Sequence, residues 1–165
     1  SPVATQLCYS NPYVIEKMTK AVIEYVEKNP ESDVIHFWLG DFPNNTCECP
    51  ECTKYHYSDY YMNMFNIISR EFKKRGWKNK IVCGISGNKS NPPIHEVVEF
   101  SENIILMFAP ISRTFGEAFP SEFKIKTLPE YKLNSYSLPR SVDENLTSIY
   151  AWKQYCPEGD VVDFD

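Results

Sequence analysis

The sequence predicts an α/β fold in which helices flank a mostly parallel sheet. Helix-like and strand-like segments alternate along the chain, and the strand-like segments are nearly continuous apolar runs bounded by turn residues. Such runs are typical of parallel sheets, because both faces of these sheets are usually covered. The length of 165 residues suits a single domain over residues 1–165.

Three segments are predicted to be helices: two have apolar residues at the three- and four-residue spacing of an amphipathic helix, and the third has a capping box of Ser141 and Glu144. Each also begins with a residue that can accept a hydrogen bond from a free N–H group of the first turn. The predicted helices are residues 12–28 after Asn11, residues 59–74 after Ser58, and residues 141–155 beginning at Ser141.

The predicted strands are residues 6–10, 33–39, 80–85, 103–108 and 161–164. Residues 33–39 form a nearly continuous apolar run, which predicts a strand buried on both faces. Residues 111–140 lack a clear period and predict a long loop, a feature that is usually functional in a compact domain.

Two closures fit this order of elements. One is an open doubly wound sheet, which would be complete at this length. The other is a partial (β/α)8 TIM barrel, since a whole barrel needs about 250 residues. Because the chain ends on a strand-like segment, we expect it to be an excised fragment, joined to the rest of a parent polypeptide.

Charge and composition argue against two classes of partner. The net charge is −5, which disfavours electrostatic binding of nucleic acid. No apolar run approaches the roughly 20 residues that span a bilayer, so we expect no membrane insertion.

The cysteine spacing predicts a metal site. Cys47, Cys49 and Cys52 lie within six residues of one polar loop, and Zn²⁺ binds four such ligands tetrahedrally. The fourth ligand is Cys8 or His56, and we prefer Cys8 because it is expected at the same end of the sheet. Four protein ligands would make the site structural rather than catalytic. The competing interpretations are a disulfide, for example between Cys47 and Cys52, and free thiols.

Three charged residues are candidates for substrate chemistry. Asp41 follows the strand at 33–39, at the sheet edge where catalytic residues gather in α/β folds, and is our candidate catalytic carboxylate. Arg113 follows the strand at 103–108 and is a candidate for substrate binding, as is Asp165, which alternates with Asp163 near the last strand.

Four stretches of the sequence together resemble the bacterial family called domain of unknown function 4838. They are residues 7–12, residues 33–41 leading into the cysteine loop, residues 107–113, and the helix carrying Trp152 before the last strand. The family is similar to TIM-barrel glycoside hydrolases and typically forms parts of large secreted bacterial proteins. The resemblance therefore implies a glycan substrate and a secreted, periplasmic or cell-surface location for the parent protein.

Two hypotheses follow for function. The first is a fragment of a glycoside hydrolase that uses carboxylate acid/base catalysis, with Asp41 and either Asp165 or Glu117 as the two carboxylates such enzymes usually need. The alternative is a non-catalytic carbohydrate-binding or scaffold domain with a metal-stabilised cysteine loop.

Overall fold

Four parallel strands form the centre of the fold. The computed structural model describes residues 6–40, 42, 44–110, 116, 118–139 and 141–164. Its strands lie in the order β1-β2-β3-β4 across one sheet, and every pair is parallel. They are β1 (Val34–His36), β2 (Lys80–Ile85), β3 (Ile104–Phe108) and β4 (Asp160–Asp163). The predicted α/β class with a parallel sheet is confirmed.

The strand order bears on how the sheet closes. Neighbours in the sheet are also neighbours along the chain, and the order does not reverse within these four strands. A doubly wound sheet has a point where the order reverses, whereas the strands of a (β/α)8 barrel follow one another around the sheet. The observed sheet is compatible with part of such a barrel.

Three helices accompany the sheet: α1 (Pro12–Lys28), α2 (Tyr57–Arg75) and α3 (Val142–Tyr155). The predicted caps of α1 and α3 are confirmed. Asn11 Oδ1 accepts a hydrogen bond from the Tyr13 N–H at 2.9 Å, and Ser141 Oγ accepts one from the Glu144 N–H at 3.2 Å. Both caps involve residues two or three positions apart, so the local sequence determines them.

Helix α2 begins earlier than predicted. Its N-cap is His56 rather than Ser58, and the His56 N–H donates to Asp59 Oδ2 at 2.9 Å. Ser58 is buried inside the first turn, where its hydroxyl donates to the Asn91 carbonyl. The prediction failed because this serine bonds to a distant loop and not to its own helix.

One face of the sheet packs against α2 to form the main core. The Phe37 ring lies 5.7 Å from Phe65 and 6.0 Å from Tyr61, and the Tyr61 hydroxyl donates to the Phe37 carbonyl. Several large side chains of this core have no exposed surface: Tyr61, Met64, Phe65, Ile68, Phe72, Ile81, Leu106 and Trp152.

The opposite face of the sheet is open at both edges, which corrects the prediction that residues 33–39 are buried on both sides. Exposed and buried residues alternate along this segment, with His36 and Trp38 exposed. The Trp38 ring lies against Gly84, where an added Cβ would be 3.4 Å from the indole. Phe164 meets Trp38 edge-on at 6.3 Å, and Val162 is also exposed. We call these residues, His36, Trp38, Val162 and Phe164, the open face.

Two segments are neither helix nor strand where the structure describes them. Residues 6–10 were predicted to be a strand but form a coil ending in a turn, in which the Asn11 N–H donates to the Cys8 carbonyl at 3.0 Å. The described residues of the predicted loop at 111–140 contain neither helix nor strand. No helix in the described part of the chain has the length and apolar character needed to cross a membrane.

Candidate metal centre and the carboxyl edge of the sheet

Four cysteine thiols meet at the edge of the sheet where the parallel strands end, which we call the carboxyl edge. The Sγ atoms of Cys8, Cys47, Cys49 and Cys52 all lie within 4.8 Å of one another. Cys8 belongs to the coil before α1, and the other three belong to the loop between β1 and α2. The metal-ligand set favoured from the sequence is therefore brought together, and we call it the cysteine cluster.

The sulfur spacing fits a tetrahedral metal ion better than a disulfide. Cys8 Sγ lies 3.7 Å from both Cys49 Sγ and Cys52 Sγ. Thiolates about 2.3 Å from zinc at the corners of a tetrahedron lie about 3.8 Å apart, whereas disulfide sulfurs lie about 2.05 Å apart. All six cysteines of the chain are free. Four sulfur donors in this arrangement suit Zn²⁺, with no position left open for a substrate.

A tight turn presents the three loop cysteines on one side. The Thr53 N–H donates to the Cys49 carbonyl at 3.1 Å, and the Cys52 N–H points at Cys49 Sγ at 3.4 Å. This donated hydrogen bond lowers the pKa of the Cys49 thiol to about 6. Burial acts in the other direction on Cys52 and raises its pKa to about 12. Because metal ligands must be deprotonated, binding of a metal would release protons from the thiols of the cluster.

The Ser10 hydroxyl lies beside the cluster. Its oxygen is 3.0 Å from Cys52 Sγ, 3.4 Å from Cys8 Sγ and 3.6 Å from Cys49 Sγ. A hydroxyl in this position can donate to a thiolate once the thiols have lost their protons, which is the kind of outer contact that orients metal ligands.

The coil that carries Cys8 is tied to the β1–α2 loop by hydrogen bonds. The Gln6 N–H donates to the Asn45 carbonyl at 3.4 Å, and its side-chain amide donates to the Phe42 carbonyl at 2.5 Å. The Gly40 N–H donates to the buried Tyr9 hydroxyl at 3.1 Å. These contacts place Cys8 opposite the loop cysteines in a chain that has no strand at residues 6–10.

His56, the alternative fourth ligand, is engaged elsewhere. Its ring lies 4.0 Å from the Tyr131 ring, and its Nδ1 lies 3.2 Å from the Pro92 carbonyl. The described cluster of metal-ligand atoms contains four cysteines and not this histidine.

The residues predicted to act on substrate fall outside the part of the chain that the structure describes. Asp41, Arg113, Asp165 and Glu117 are all among the residues that are not described. Their roles therefore stay predictions. Asp163, which the sequence pairs with Asp165, is the last residue of β4 and is exposed.

Two asparagines join the cysteine loop to the long loop that follows β3. Asn44 accepts from the Tyr136 N–H at 2.7 Å and donates to the Tyr136 carbonyl at 3.0 Å. Reciprocally, Asn134 accepts from the Thr46 N–H at 2.8 Å and donates to the Thr46 carbonyl at 2.9 Å. Each side-chain amide thus forms hydrogen bonds with both the backbone N–H and the backbone carbonyl of one residue in the other loop. We call this pair of asparagines the asparagine clamp.

The clamp adjoins the cysteine cluster in sequence and in space. Thr46 directly precedes Cys47, and the Asn134 amide also donates to Glu48 Oε1 at 2.6 Å. Both asparagines have positive φ angles, 55° for Asn44 and 54° for Asn134, a conformation in which asparagine is enriched among non-glycine residues. The sequence marks both as turn residues but does not indicate that they are partners.

A cavity of about 380 Å³ lies beneath the long loop. Its walls are residues 126–139 on one side, and the start of α3 with the segment after β2 on the other. Its wall carries four charged residues, Lys126, Glu130, Lys132 and Glu144, and uncharged polar residues that include Asn88, Asn91, Tyr131, Tyr136 and Ser137. The long loop was predicted from the sequence, but this cavity was not, because its walls are far apart along the chain.

The structural role of Asp59 was also not predicted from the sequence. Its side chain is buried at the start of α2, and Oδ1 accepts hydrogen bonds from the N–H groups of Ile94, His95 and Glu96 at 2.6–3.0 Å. The carboxylate therefore holds the β2–β3 connection against α2. An aspartate three residues after a helix cap is the only local signal, and it predicts the contact with His56 alone.

Comparison with known families identifies the chain by its sequence. The family model described as "Domain of unknown function (DUF4838)" matches residues 1–134, so the chain belongs to this family, as the resemblance predicted. Comparisons with curated proteins and with solved structures gave no match.

Proposed function

We propose that this member of the DUF4838 family is a portion of a carbohydrate-active protein whose carboxyl-edge loops are fixed by a structural zinc ion. The observation that carries the proposal is the convergence of the cysteine cluster, the asparagine clamp and a polar cavity at one edge of a parallel sheet. In α/β folds this edge is where ligands bind, because the loops that follow the strands gather there.

The zinc ion is proposed from the donor set. Four thiols with sulfur spacings of 3.7 Å for the two closest pairs match a closed tetrathiolate site. When bound, the ion would join the coil carrying Cys8 to the β1–α2 loop. It would thereby fix the loop segment that carries Thr46, which the clamp contacts.

The zinc proposal is tested by elemental analysis of purified protein beside titration of its free thiols. We expect about one equivalent of zinc per chain, and its loss in the Cys8→Ser variant. Cys156→Ala is the matched control, because Cys156 is buried by α3 and lies outside the cluster. Less than about half an equivalent of metal together with blocked thiols would contradict the proposal and favour a disulfide.

The glycan proposal takes the parent protein to be a glycoside hydrolase. The support is the likeness to TIM-barrel glycoside hydrolases that the resemblance to the family implies, a strand order compatible with part of such a barrel, and the position of Asp41 directly after the strand-like run at 33–39. In this proposal Asp41 is a catalytic carboxylate, and Arg113 and Asp165 contact the sugar.

The test uses the full-length parent protein, with products detected by mass spectrometry after incubation with a glycan panel. The Asp41→Asn variant should release less product than wild type, and Asp33→Asn, at an exposed aspartate before β1, should not. Undiminished turnover by Asp41→Asn would remove this residue from the mechanism.

A second candidate is a non-catalytic carbohydrate-binding or scaffold domain. The closed set of four thiols fits this candidate as well, because such a site stabilises a loop and takes no part in a reaction. Binding of a glycan by the full-length protein without any product would decide for this candidate.

The open face indicates a partner. Parallel sheets are usually covered on both sides, yet the open face leaves Trp38 and Phe164 exposed. In our proposal the rest of the parent polypeptide covers this face, and the parent protein is secreted, periplasmic or bound to the cell surface.

A further inference from the structure

We infer that the cavity beneath the long loop is a subsite for uncharged sugar units, one or two rings in size. This inference rests on the proposed action on glycans and adds where on this chain the glycan lies. The cavity volume of about 380 Å³ falls within the range of about 300–1,000 Å³ that small-molecule sites occupy.

The cavity wall is already fixed without a ligand. The asparagine clamp holds residues 134–136, the Tyr131 hydroxyl accepts from the Tyr57 N–H at 3.1 Å, and the Lys126 N–H donates to Thr147 Oγ1 at 2.9 Å. Because the wall is already ordered, binding of a ligand has to order few protein residues, which lowers the free-energy cost of binding.

The charges of the wall favour an uncharged ligand. Two lysines and two glutamates line the cavity, so their formal charges cancel. Lys132 Nζ lies 3.6 Å from Glu130, and Lys126 Nζ lies 4.0 Å from Asp143. An anionic ligand would therefore meet each lysine beside a carboxylate, which offsets the attraction that a free cation would provide.

The remaining wall groups match the chemistry of a sugar. Asn88 Nδ2 donates to Thr46 Oγ1 at 3.1 Å, and Asn91 Nδ2 donates to the Pro129 carbonyl at 3.3 Å. Each amide has a second N–H and further oxygen lone pairs, which can bond to sugar hydroxyls as the Ser137 hydroxyl can. Tyr131 and Tyr136 add aromatic rings, whose negative faces attract the weakly positive C–H groups of a pyranose. A nucleotide is a poorer fit, because its phosphates would need a cation free of nearby carboxylates.

The test is a titration of the zinc-supplemented chain, followed by NMR, with four probes: cellobiose, maltose, N,N′-diacetylchitobiose and, as the charged comparator, glucuronic acid. The Ser137→Trp variant places a large ring at an exposed wall position. Ser121→Trp is the matched control, since Ser121 is also exposed but does not line the cavity. Thermal melting of both variants checks that they fold.

We expect at least one neutral disaccharide to bind saturably, and Ser137→Trp to weaken that binding at least about tenfold while Ser121→Trp changes it less than about twofold. Unchanged binding by Ser137→Trp would overturn the assignment to this cavity and leave the glycan proposal standing. Tighter binding of glucuronic acid than of every neutral disaccharide would overturn the ligand class. Absence of binding by all four probes would overturn this inference, whereas the proposed function is judged by products of the full-length protein.

Discussion

Two regions of the molecule, the helix-covered face of the sheet and the carboxyl edge, are stabilised by different interactions. On the covered face, Phe65, Ile68 and Phe72 are fully buried among other apolar side chains. At the carboxyl edge the contacts are hydrogen bonds of the clamp and the thiols of the cysteine cluster. Burial of apolar area is not directional, whereas hydrogen bonds fix the relative positions of the groups that they join. The covered face therefore supplies most of the stability, and the carboxyl edge holds its loops in defined positions.

The largest effect that this comparison predicts comes from the covered face. Phe65→Ala should lower the free energy of unfolding by about 3–5 kcal/mol, because it removes a fully buried ring and leaves a cavity. Urea unfolding measures this loss, and Tyr13→Ala, at an exposed aromatic residue of α1, is the control. Metal content should be unchanged in the folded Phe65→Ala protein. A loss below about 1 kcal/mol would show that this face is not the main source of stability.

The next effect concerns Asp59, which lies where the two regions meet. Asp59→Asn should cost about 1.5–3 kcal/mol, since the N–H groups of residues 94–96 then donate to a neutral oxygen and an amide N–H₂ meets the His56 N–H. Asp33→Asn, at an exposed position, should cost almost nothing. Unfolding in urea compares the two variants, and equal stabilities would mean that the charge of Asp59 has no role in holding residues 94–96.

A smaller effect is expected from the asparagine clamp. Asn134→Ala loses three side-chain hydrogen bonds and strains a positive φ, whereas Asn134→Gly loses the bonds without the strain. We expect a cost of about 1–3 kcal/mol for alanine and somewhat less for glycine.

Hydrogen exchange locates the loss that the clamp variants cause. Faster exchange should be confined to the carboxyl-edge loops, around residues 44–54 and 126–139, while the amides of β2 and β3 keep their protection. Equal acceleration across the whole sheet would contradict the division between the two regions.

The smallest effect belongs to an ion pair at the surface, between α2 and the β2–β3 connection. Arg70 donates two hydrogen bonds to the Glu99 carboxylate, at 2.8 and 2.5 Å, and this holds the Glu99 pKa below its usual value. The pair is largely exposed, so Arg70→Ala should cost less than about 1 kcal/mol at pH 7.

The sign of the pH dependence follows from the lowered pKa of Glu99. Its contribution to stability is fully present above the usual glutamate pKa of about 4.3 and is lost as the pH falls through the lower value in the folded protein. Urea unfolding at pH 7 and in acid should show the difference between wild type and Arg70→Ala disappear in acid. A difference that persists in acid would mean that the arginine stabilises by packing instead.

The features predicted most accurately from the sequence are those that short-range interactions determine. The limits of α1 and the caps at Asn11 and Ser141 depend on residues a few positions apart, and all were predicted correctly. The start of α2 was misplaced because Ser58 bonds to Asn91, 33 residues away. The run at 33–39 looked buried on both sides because its composition is apolar, but composition does not reveal that one face of the sheet is open.

The candidate site was predictable in part for the same reason. Three cysteines in one loop form a local pattern. Cys8 was included because a strand at residues 6–10 would end at the same edge of the sheet, although this segment is not a strand in the structure. The partners of the asparagine clamp are 88–92 residues apart, and no spacing rule connects them. A single asparagine in a loop predicts a turn and nothing about the loop that it contacts.

The arrangement of Trp38 gives the protein an intrinsic optical reporter. Its indole is 41% exposed on the open face, beside Gly84 and Phe164, whereas Trp152 is fully buried and Trp77 is half-buried. A soluble quencher should therefore reduce the fluorescence of Trp38 first. Whatever covers the open face would shield this indole, shift its emission to the blue and lower its quenching, so assembly can be followed without a label.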